Sequence, residues 1–180
     1  PDLAEVLERH AVGRDDRRAD AVERRHATGR RTARENVADL VDDGSFVEYA
    51  PLVIAGQRRR RPLQELIERT PADGLVGGVG TVNGRQVVAM SYDYTVLAGT
   101  QGMWNHEKKD RLFELAARMR LPVVFLTEGG GGRPGDTDGA TVNTRQPSVT
   151  HHGLPELDQR CVVGLCDSAR EVADLREVVI

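Results

Sequence analysis

Residues 91–138 decide the fold, and they contain four successive parts: Ser91-Tyr-Asp-Tyr-Thr-Val-Leu-Ala-Gly-Thr-Gln-Gly102, an amphipathic run from Asn105, the apolar run Pro122-Val-Val-Phe-Leu126, and Thr127-Glu-Gly-Gly-Gly-Gly-Arg-Pro-Gly-Asp-Thr-Asp138. Strand, glycine turn, helix, strand and second glycine turn make the pattern of a βαβ crossover. In open α/β sheets, ligands bind beyond the carboxyl ends of the parallel strands. The sequence therefore predicts an α/β fold with its functional site at the two glycine turns.

The amphipathic run predicts a helix that packs on the sheet. Four apolar residues recur at spacings of three and four and form one face: Leu112, Leu115, Ala116 and Met119. Several charged residues are expected off that face: Lys108, Lys109, Asp110, Glu114 and Arg118. The next strand is a short continuous apolar run, as expected of an interior parallel strand that is covered on both sides.

Upstream residues predict a capped helix and a hairpin. Thr32, with Glu35 in capping-box position, predicts a helix over residues 31–41. Residues 45–49 have strand character, and Asn83-Gly84 is a strong signal for a two-residue hairpin turn. We expect residues 91–96 to add a further strand to this sheet, residues 63–68 to form a helical turn, and residues 2–26 to form a charged outer helix.

Composition narrows the class of protein. The chain has 180 residues, a net charge of −3 and 39% hydrophobic residues, with no apolar run long enough to span a membrane. These values predict one soluble cytoplasmic domain with no nucleic-acid or membrane partner. Cys161 and Cys166, with His151 and His152 nearby, lack the ligand spacing of a zinc motif, so we expect no metal.

Several separate blocks resemble one family, the beta subunits of acyl-CoA carboxylases, in their amino-terminal carboxyltransferase lobe. The blocks are residues 29–48, Thr70-Pro-Ala-Asp-Gly with residues 75–84, Ala98-Gly-Thr-Gln-Gly with residues 105–116, residues 121–125, and Glu128-Gly-Gly-Gly-Gly-Arg-Pro-Gly-Asp-Thr-Asp138. They occur in the family's order, and agreement of several blocks is more specific than a lone glycine run. The resemblance implies a partial crotonase-like (ClpP/crotonase) fold, a βαβ spiral core, with a peripheral N-terminal helix.

The resemblance also implies a division of the chain and a chemistry. Residues 1–28 are expected to be a peripheral helical segment, residues 29–138 the carboxyltransferase lobe, and residues 139–180 a divergent segment. The implied function is to bind acyl-CoA and to stabilise its enolate for carboxyl transfer from carboxybiotin, as in acetyl- and propionyl-CoA carboxylases. The implied partners are a biotin carboxyl carrier, a biotin carboxylase, a second carboxyltransferase lobe or subunit, and further copies of the chain in a homo-oligomer.

Individual residues receive roles by the same resemblance. The amides of Gly129, Gly130, Gly131 and Gly132 are expected to form an oxyanion hole, the catalytic element of the lobe. The residues expected to contact coenzyme A are Ala98, Gly99, Gly102, Lys108, Lys109 and Arg133. The two lysines are included for a reason of their own: the helix macrodipole disfavours cations early in a helix, so their placement there supports a role in attracting an anionic ligand. The alternative interpretation of the four glycines is a mobile surface loop.

Other polar residues admit two interpretations. The basic run Gln57-Arg-Arg-Arg-Arg61 lies either near the coenzyme A phosphates, because guanidinium groups pair with phosphate oxygens, or in a solvated loop. His106 is either a base or a capping or surface residue. Asp136 and Asp138 are expected to fix the glycine loop through backbone hydrogen bonds.

Residues 139–180 depart from the family. The family's glycine loop is followed by a helix, a strand and a second glycine turn, and then by a second lobe that binds carboxybiotin, whereas residues 139–180 do not align with those parts. The resemblance therefore implies that a complete site is not encoded and that this chain is inactive by itself. The alternative is a non-catalytic module for acyl-CoA binding or for assembly with other subunits.

Overall fold

The computed structural model describes residues 2–138, the backbone of residues 161–164, and residues 176–177. Its helices are α1 (Leu3–Val12), α2 (Ala19–His26), α3 (Ala33–Leu40), α4 (Leu63–Arg69) and α5 (Met103–Met119). Its strands are β1 (Val47–Glu48), β2 (Leu75–Val82), β3 (Arg85–Tyr92), β4 (Val123–Leu126) and β5 (Cys161–Gly164). Within the described residues, no helix is long and apolar enough to cross a membrane.

The five strands form one mixed sheet in chain order. Strands β1, β2 and β3 pair antiparallel, and β3, β4 and β5 pair parallel. Asn83 and Gly84 both have positive φ at the turn between β2 and β3, which confirms the predicted hairpin turn. Helix α5 connects the parallel strands β3 and β4, which confirms the βαβ crossover.

The predicted strand over residues 91–96 is wrong. Ser91 and Tyr92 are the last residues of β3, and the chain then leaves the sheet. The amide of Asp93 donates to the Gly74 carbonyl at 2.9 Å, and the amide of Val96 donates back to the Asp93 carbonyl at 3.0 Å. The first bond joins Asp93 to the residue before β2, and the second closes a turn directly after the strand, so the first glycine turn begins earlier than the sequence suggested.

Each face of the sheet carries one hydrophobic core cluster, and a third, smaller cluster joins Ile54 and Ala55 to Leu66 and Ile67 of α4. On one face α3 packs its apolar side against alternate residues of the strands, with a core of Val37, Leu40, Val76, Val87, Ala89, Val124 and Leu126. On the other face α5 packs against the intervening residues, with a core of Leu112, Phe113, Ala116, Val88, Met90, Tyr92, Val123 and Phe125. Strand β4 is buried on both sides, as its continuous apolar run predicted.

Helix α3 follows its local signals closely. Thr32 accepts from the Glu35 amide at 3.1 Å and the Glu35 carboxylate accepts from the Thr32 amide at 2.8 Å, which confirms the capping box. The N-terminal residues differ more from expectation, because they form two helices, α1 and α2, instead of one. Between them lies a short 3₁₀ turn, Asp15–Arg17.

The buried face of α5 is displaced from the predicted one. The buried residues are Asn105, Lys108, Lys109, Leu112, Phe113 and Ala116, at spacings of three and four. Met119 is 47% exposed, because Arg120 adopts a left-handed conformation and ends the helix, and Leu121 enters the core instead. The expectation that Lys108 and Lys109 lie off the buried face is therefore wrong.

Candidate functional site

The two glycine turns lie at one edge of the sheet. Because β3 and β4 are parallel, their carboxyl ends are adjacent, and the 3₁₀ turn Leu97–Gly99 comes close to the loop that follows β4. We call residues 127–133 of that loop the glycine loop. The Gly130 amide donates to the Ala98 carbonyl at 3.2 Å, the Gln101 amide donates to the Gly131 carbonyl at 2.9 Å, and the Arg133 amide donates to the Gln101 carbonyl at 2.7 Å. The turns thus form one hydrogen-bonded unit.

Three glycines allow this close approach. A Cβ on Gly99 would lie 2.5 Å from the Glu128 carbonyl oxygen, and a Cβ on Gly129 would overlap the Gly99 carbonyl. Gly102, at the start of α5, faces side chains: a Cβ there would overlap the Asp136 carboxylate and lie 2.7 Å from the Arg133 guanidinium. Larger residues at these positions would push the turns apart.

One left-handed turn lies within this unit and another directly precedes β2, and the sequence did not predict either of them. Ala72, Asp73 and Gly74 all have positive φ, and so do Leu97, Ala98 and Gly99. Consecutive non-glycine residues in this region are strained, and such strain is concentrated at functional sites. The only sign in the sequence is the glycine that ends each turn.

The glycine loop presents unpaired amides. The amides of Gly129, Gly131 and Gly132 have no hydrogen-bond partner among the residues that the structure describes, and these glycines are exposed. The loop directly follows the buried strand β4, as the sequence predicted. The Gly130 amide is already bonded to Ala98, so at most three of the four predicted donors are available. Their catalytic role stays a prediction.

A buried ionic cluster fixes the far end of the loop. Arg133 contacts the Asp73 carboxylate at 2.7 Å and the Asp136 carboxylate at 3.3 Å, and neither carboxylate side chain is exposed. The same carboxylates accept from the first turn of α5: Asp136 from the Met103 amide and Asp73 from the Asn105 amide, both at 2.8 Å. Burial raises the pKa of Asp73, and the Arg133 charge opposes that shift.

The second loop aspartate has the predicted role as well. Asp138 accepts from the Arg58 amide at 2.7 Å, and the Thr137 amide donates to the Gly56 carbonyl at 2.6 Å. These bonds attach the end of the loop to the basic run. The expected use of Asp136 and Asp138 in backbone hydrogen bonds is therefore confirmed.

The near end of the loop is held by arginines from the N-terminal part of the chain. Glu128 forms ion pairs with Arg25 through one carboxylate oxygen and with Arg30 through the other, the second at 2.6 Å. Arg25 is buried, donates to the Arg31 carbonyl at 2.8 Å and lies 5.1 Å above the Tyr94 ring. No pattern in the sequence indicates the two ion pairs of Glu128, because each joins residues about a hundred positions apart.

The two lysines of α5 face inward. The Lys108 ammonium donates to the Leu75 carbonyl at 2.5 Å and lies 4.0 Å from Glu48, and burial lowers its pKa to about 8. The Lys109 ammonium lies 3.3 Å from His106 Nδ1. Burial lowers the pKa of Lys109, and burial together with the Lys109 charge lowers the pKa of His106. In this structure neither lysine is an exposed cation beside the glycine turns, and their contact with coenzyme A stays a prediction.

A cavity of about 570 Å³ opens beside the glycine unit. Its lining residues are Gln57, Arg60, Arg61, Glu65, Leu97, Thr100 and Arg133. The cavity joins the basic run to the first glycine turn and to the arginine that follows the four glycines. Three of the seven lining residues are arginines: Arg133 is paired with Asp73 and Asp136, Arg61 is paired with Glu65, and Arg60 contacts only a carbonyl among the described residues. The guanidinium of Arg60 is therefore available to an anionic ligand.

A comparison with known protein families supplies the identity. The model of the carboxyl transferase domain matches residues 24–148 of the chain. The chain belongs to the carboxyl transferase domain family. This result confirms the resemblance to the carboxyltransferases of acyl-CoA carboxylases.

Individual carboxyl transferase relatives agree with this assignment. The alpha subunit of methylmalonyl-CoA decarboxylase from Veillonella parvula is 37% identical over 131 residues, which are 73% of this chain and 25% of that protein. The biotin-dependent acetyl-/propionyl-coenzyme A carboxylase beta5 subunit of Mycobacterium tuberculosis H37Rv is 39% identical over 137 residues, which are 73% of this chain and 23% of that protein. The chain thus spans about a quarter of the length of these curated relatives.

A solved carboxylase structure confirms the fold. The structure of a single-chain, multi-domain long-chain acyl-CoA carboxylase matches with a TM-score of 0.78 and 56% sequence identity, over 89% of this chain and 16% of that one. The expected crotonase-like α/β fold is therefore correct. Within the described part of the chain, no three His, Cys, Asp or Glu residues are arranged to hold a metal ion.

Proposed function

We propose that this lobe binds an acyl-CoA thioester and stabilises the enolate oxygen of its acyl group during carboxyl transfer. One observation carries the proposal: exposed, unpaired amides of the glycine loop lie next to an arginine-lined cavity. Amides that are already oriented stabilise developing negative charge without reorganisation. Carboxybiotin, carried by a partner protein, would supply the carboxyl group. The names of the relatives support acyl-CoA and biotin as the substrate and the cofactor.

The cavity supports a specific placement of coenzyme A. Coenzyme A carries several phosphate charges, and Arg60 and Arg61 offer guanidinium groups on the cavity wall. Arg60 has a contact of 3.5 Å to the Gly135 carbonyl, and Arg61 pairs with Glu65 in the next helical turn. We therefore place the phosphates at the basic run and the thioester at the glycine loop, which favours the functional interpretation of residues 57–61 over a solvated loop.

The experiment is isothermal titration of the purified chain with acetyl-CoA, propionyl-CoA and palmitoyl-CoA, in low and in physiological salt. We expect binding that weakens as salt is added, because exposed ion pairs are screened over about 8 Å at physiological ionic strength. The double variant Arg60→Gln/Arg61→Gln is expected to weaken binding about tenfold or more, the equivalent of one or two charge-assisted hydrogen bonds.

The matched control is Arg85→Gln, at the opposite end of β3, which removes an exposed arginine far from the cavity. Its affinity is expected to equal that of the unchanged chain. If none of the three thioesters binds, the proposal is wrong. If they bind but the arginine double variant binds equally well, the phosphates lie elsewhere.

A further inference from the structure

The glycine loop is held at both ends by ion pairs that do not include its four glycines. At the near end, one carboxylate oxygen of Glu128 forms an ion pair with Arg25 and the other forms an ion pair with Arg30. At the far end, Arg133 is enclosed by Asp73, Asp136 and the Thr100 carbonyl, the last at 2.8 Å. Between these ends lie the four glycines, which have little conformational restraint of their own.

The near-end contact comes from a part of the chain with no other evident role. Arg25 is the one buried residue of α2 and is 7% exposed. Its guanidinium makes three different contacts: the Glu128 carboxylate, the Arg31 carbonyl and the Tyr94 ring. Side-chain packing on several sides restricts this arginine to one orientation, so it can restrain the residue that it binds.

Glu128 is well placed to transmit that restraint. It directly precedes Gly129, and its own carbonyl lies against Gly99 in the first glycine turn. A displacement of Glu128 would therefore alter both the start of the glycine loop and its contact with the neighbouring turn. Amides that stabilise charge must be held within about half an ångström of the productive geometry.

We propose that Arg25 and Arg133 are positioning residues that fix the two ends of the glycine loop, so that the N-terminal helix α2 is part of the functional site. Neither guanidinium is assigned a contact with reacting atoms. Arg25 acts through Glu128, and Arg133 acts through Asp73 and Asp136. The binding part of the test rests on the proposed function, whereas the exchange part does not.

The experiment compares Arg25→Gln, Glu128→Gln, the double variant and Arg24→Gln by amide hydrogen exchange and by titration with acetyl-CoA. Arg24 is the matched control, since it is the exposed arginine beside Arg25 on the same helix. The reporter amides are Gly130 and Gln101, which bond across the glycine unit, and Val88, which bonds to Pro122 in the sheet. Urea unfolding measures the stability of each variant.

We expect Arg25→Gln to accelerate exchange at Gly130 and Gln101 about tenfold or more, as the loss of a charge-assisted hydrogen bond predicts. Exchange at Val88 is expected to change much less, and Arg24→Gln is expected to change neither. Acetyl-CoA affinity should fall with Arg25→Gln. The effect of the double variant should be smaller than the sum of the effects of Arg25→Gln and Glu128→Gln, because both single variants remove the Arg25–Glu128 ion pair. Glu128→Gln decides the test if Arg25→Gln does not fold.

Two results would overturn the inference. One is unchanged exchange at Gly130 in folded Arg25→Gln or Glu128→Gln protein. The other is equal acceleration at Gly130 and Val88, which would indicate a general loss of stability instead of a local role. If the unchanged chain binds none of the three thioesters, the proposed function fails, and the exchange measurements still decide whether the loop is held by these residues.

For the far end, Arg133→Gln and Arg133→Lys are compared in the same way. Lysine keeps the charge but not the planar fork that reaches two carboxylates and a carbonyl. We expect faster exchange at Gln101 in both variants and partial recovery with lysine. Equal exchange in the unchanged chain and Arg133→Gln would remove Arg133 from the proposed role.

Discussion

The buried Lys108 is the most unusual single residue of the chain. Its ammonium is almost fully buried, and a carbonyl and a carboxylate are its nearest partners. Burial of a charged amine is unfavourable unless those partners compensate for the lost hydration. The lowered pKa, about 8, indicates that compensation is incomplete.

This burial gives a prediction about pH and stability. The folded chain loses the Lys108 proton near pH 8, whereas the unfolded chain keeps it to about pH 10.4. The unfolded state then binds more protons in this window, so the free energy of unfolding should rise with pH, by an amount on the order of 3 kcal/mol. Lys108→Met should lack this rise. Urea unfolding of both proteins at pH 7, 8, 9 and 10 measures the free energy of unfolding at each pH. An equal change with pH in the two proteins would contradict the prediction.

Gly99 gives a second prediction at this scale. Gly99→Ala adds a methyl group that meets the Glu128 carbonyl, in a backbone conformation with φ of 64°. Gly84→Ala is the matched control, because its φ is 77° and nothing lies within 4 Å of the added atom. We expect Gly84→Ala to lower the free energy of unfolding by about 1 kcal/mol, from the backbone conformation alone. Gly99→Ala should lower it by about 2–4 kcal/mol. If urea unfolding shows the same loss of stability in Gly99→Ala and Gly84→Ala, the two turns move apart freely and the prediction is wrong.

At the scale of the element, sequence and structure agree where the determining contacts are local. Helix α3 is predicted well because Thr32 and Glu35 determine its start three residues apart. The hairpin is predicted well because the pair Asn83-Gly84 itself favours the positive φ of a two-residue turn. The distant Asp42 carboxylate, which accepts from both amides of this pair at 3.0 and 2.9 Å, adds to a turn that the local residues already select. The glycine loop falls at the end of β4 because the apolar run before it is unambiguous.

Where distant partners determine the structure, the sequence predicted less. In α5 the apolar pattern placed Met119 inside and Lys108 outside, and both expectations are wrong. Lys108 is buried because the Leu75 carbonyl and Glu48 receive its ammonium, and neither partner is visible from the helix itself. The buried pair of Arg133 with Asp73 is hidden for the same reason, since sixty residues separate the two in sequence.

The start of α5 gives a prediction about an element. Its first turn has no capping side chain of its own, and Asp136, in the segment that follows the glycine loop, accepts from the Met103 amide instead. Asp136→Ala should lower the free energy of unfolding by about 3 kcal/mol, because it removes this acceptor and one partner of the buried Arg133. Asp138 lies in the same segment but accepts from an exposed amide, so Asp138→Ala should lower the free energy of unfolding by about 1 kcal/mol or less. Equal losses in urea unfolding would contradict a capping role for Asp136.

At the scale of the whole molecule, the fold brings three distant segments to one edge of the sheet. The N-terminal arginines hold the start of the glycine loop, the turn before β2 holds its end, and the basic run forms the wall of the adjacent cavity. The site is therefore a property of the folded lobe and not of the glycine motif alone. A peptide that contained only residues 120–138 would lack every one of these contacts.

The last prediction concerns catalysis by the 180-residue chain alone. It spans about a quarter of the length of its curated relatives, and we propose that it supplies the acyl-CoA side of the reaction only. Carboxyl transfer also requires donors for the biotin oxygen and a groove that orients the carrier. Loss of one oriented donor costs roughly 10²–10³ in rate, and loss of orientation costs more. Self-association does not compensate, because each copy presents the same half of the site.

We therefore expect no measurable incorporation of labelled bicarbonate into malonyl-CoA or methylmalonyl-CoA by the purified chain. The assay contains acetyl-CoA or propionyl-CoA, a biotinylated carrier and its biotin carboxylase. A full-length propionyl-CoA carboxylase beta chain, tested with the same carrier, is the positive control. Isothermal titration on the same preparation separates a chain that binds the thioester but cannot transfer carboxyl from one that binds nothing. Turnover near that of the control would show that residues 139–180 complete a site for biotin.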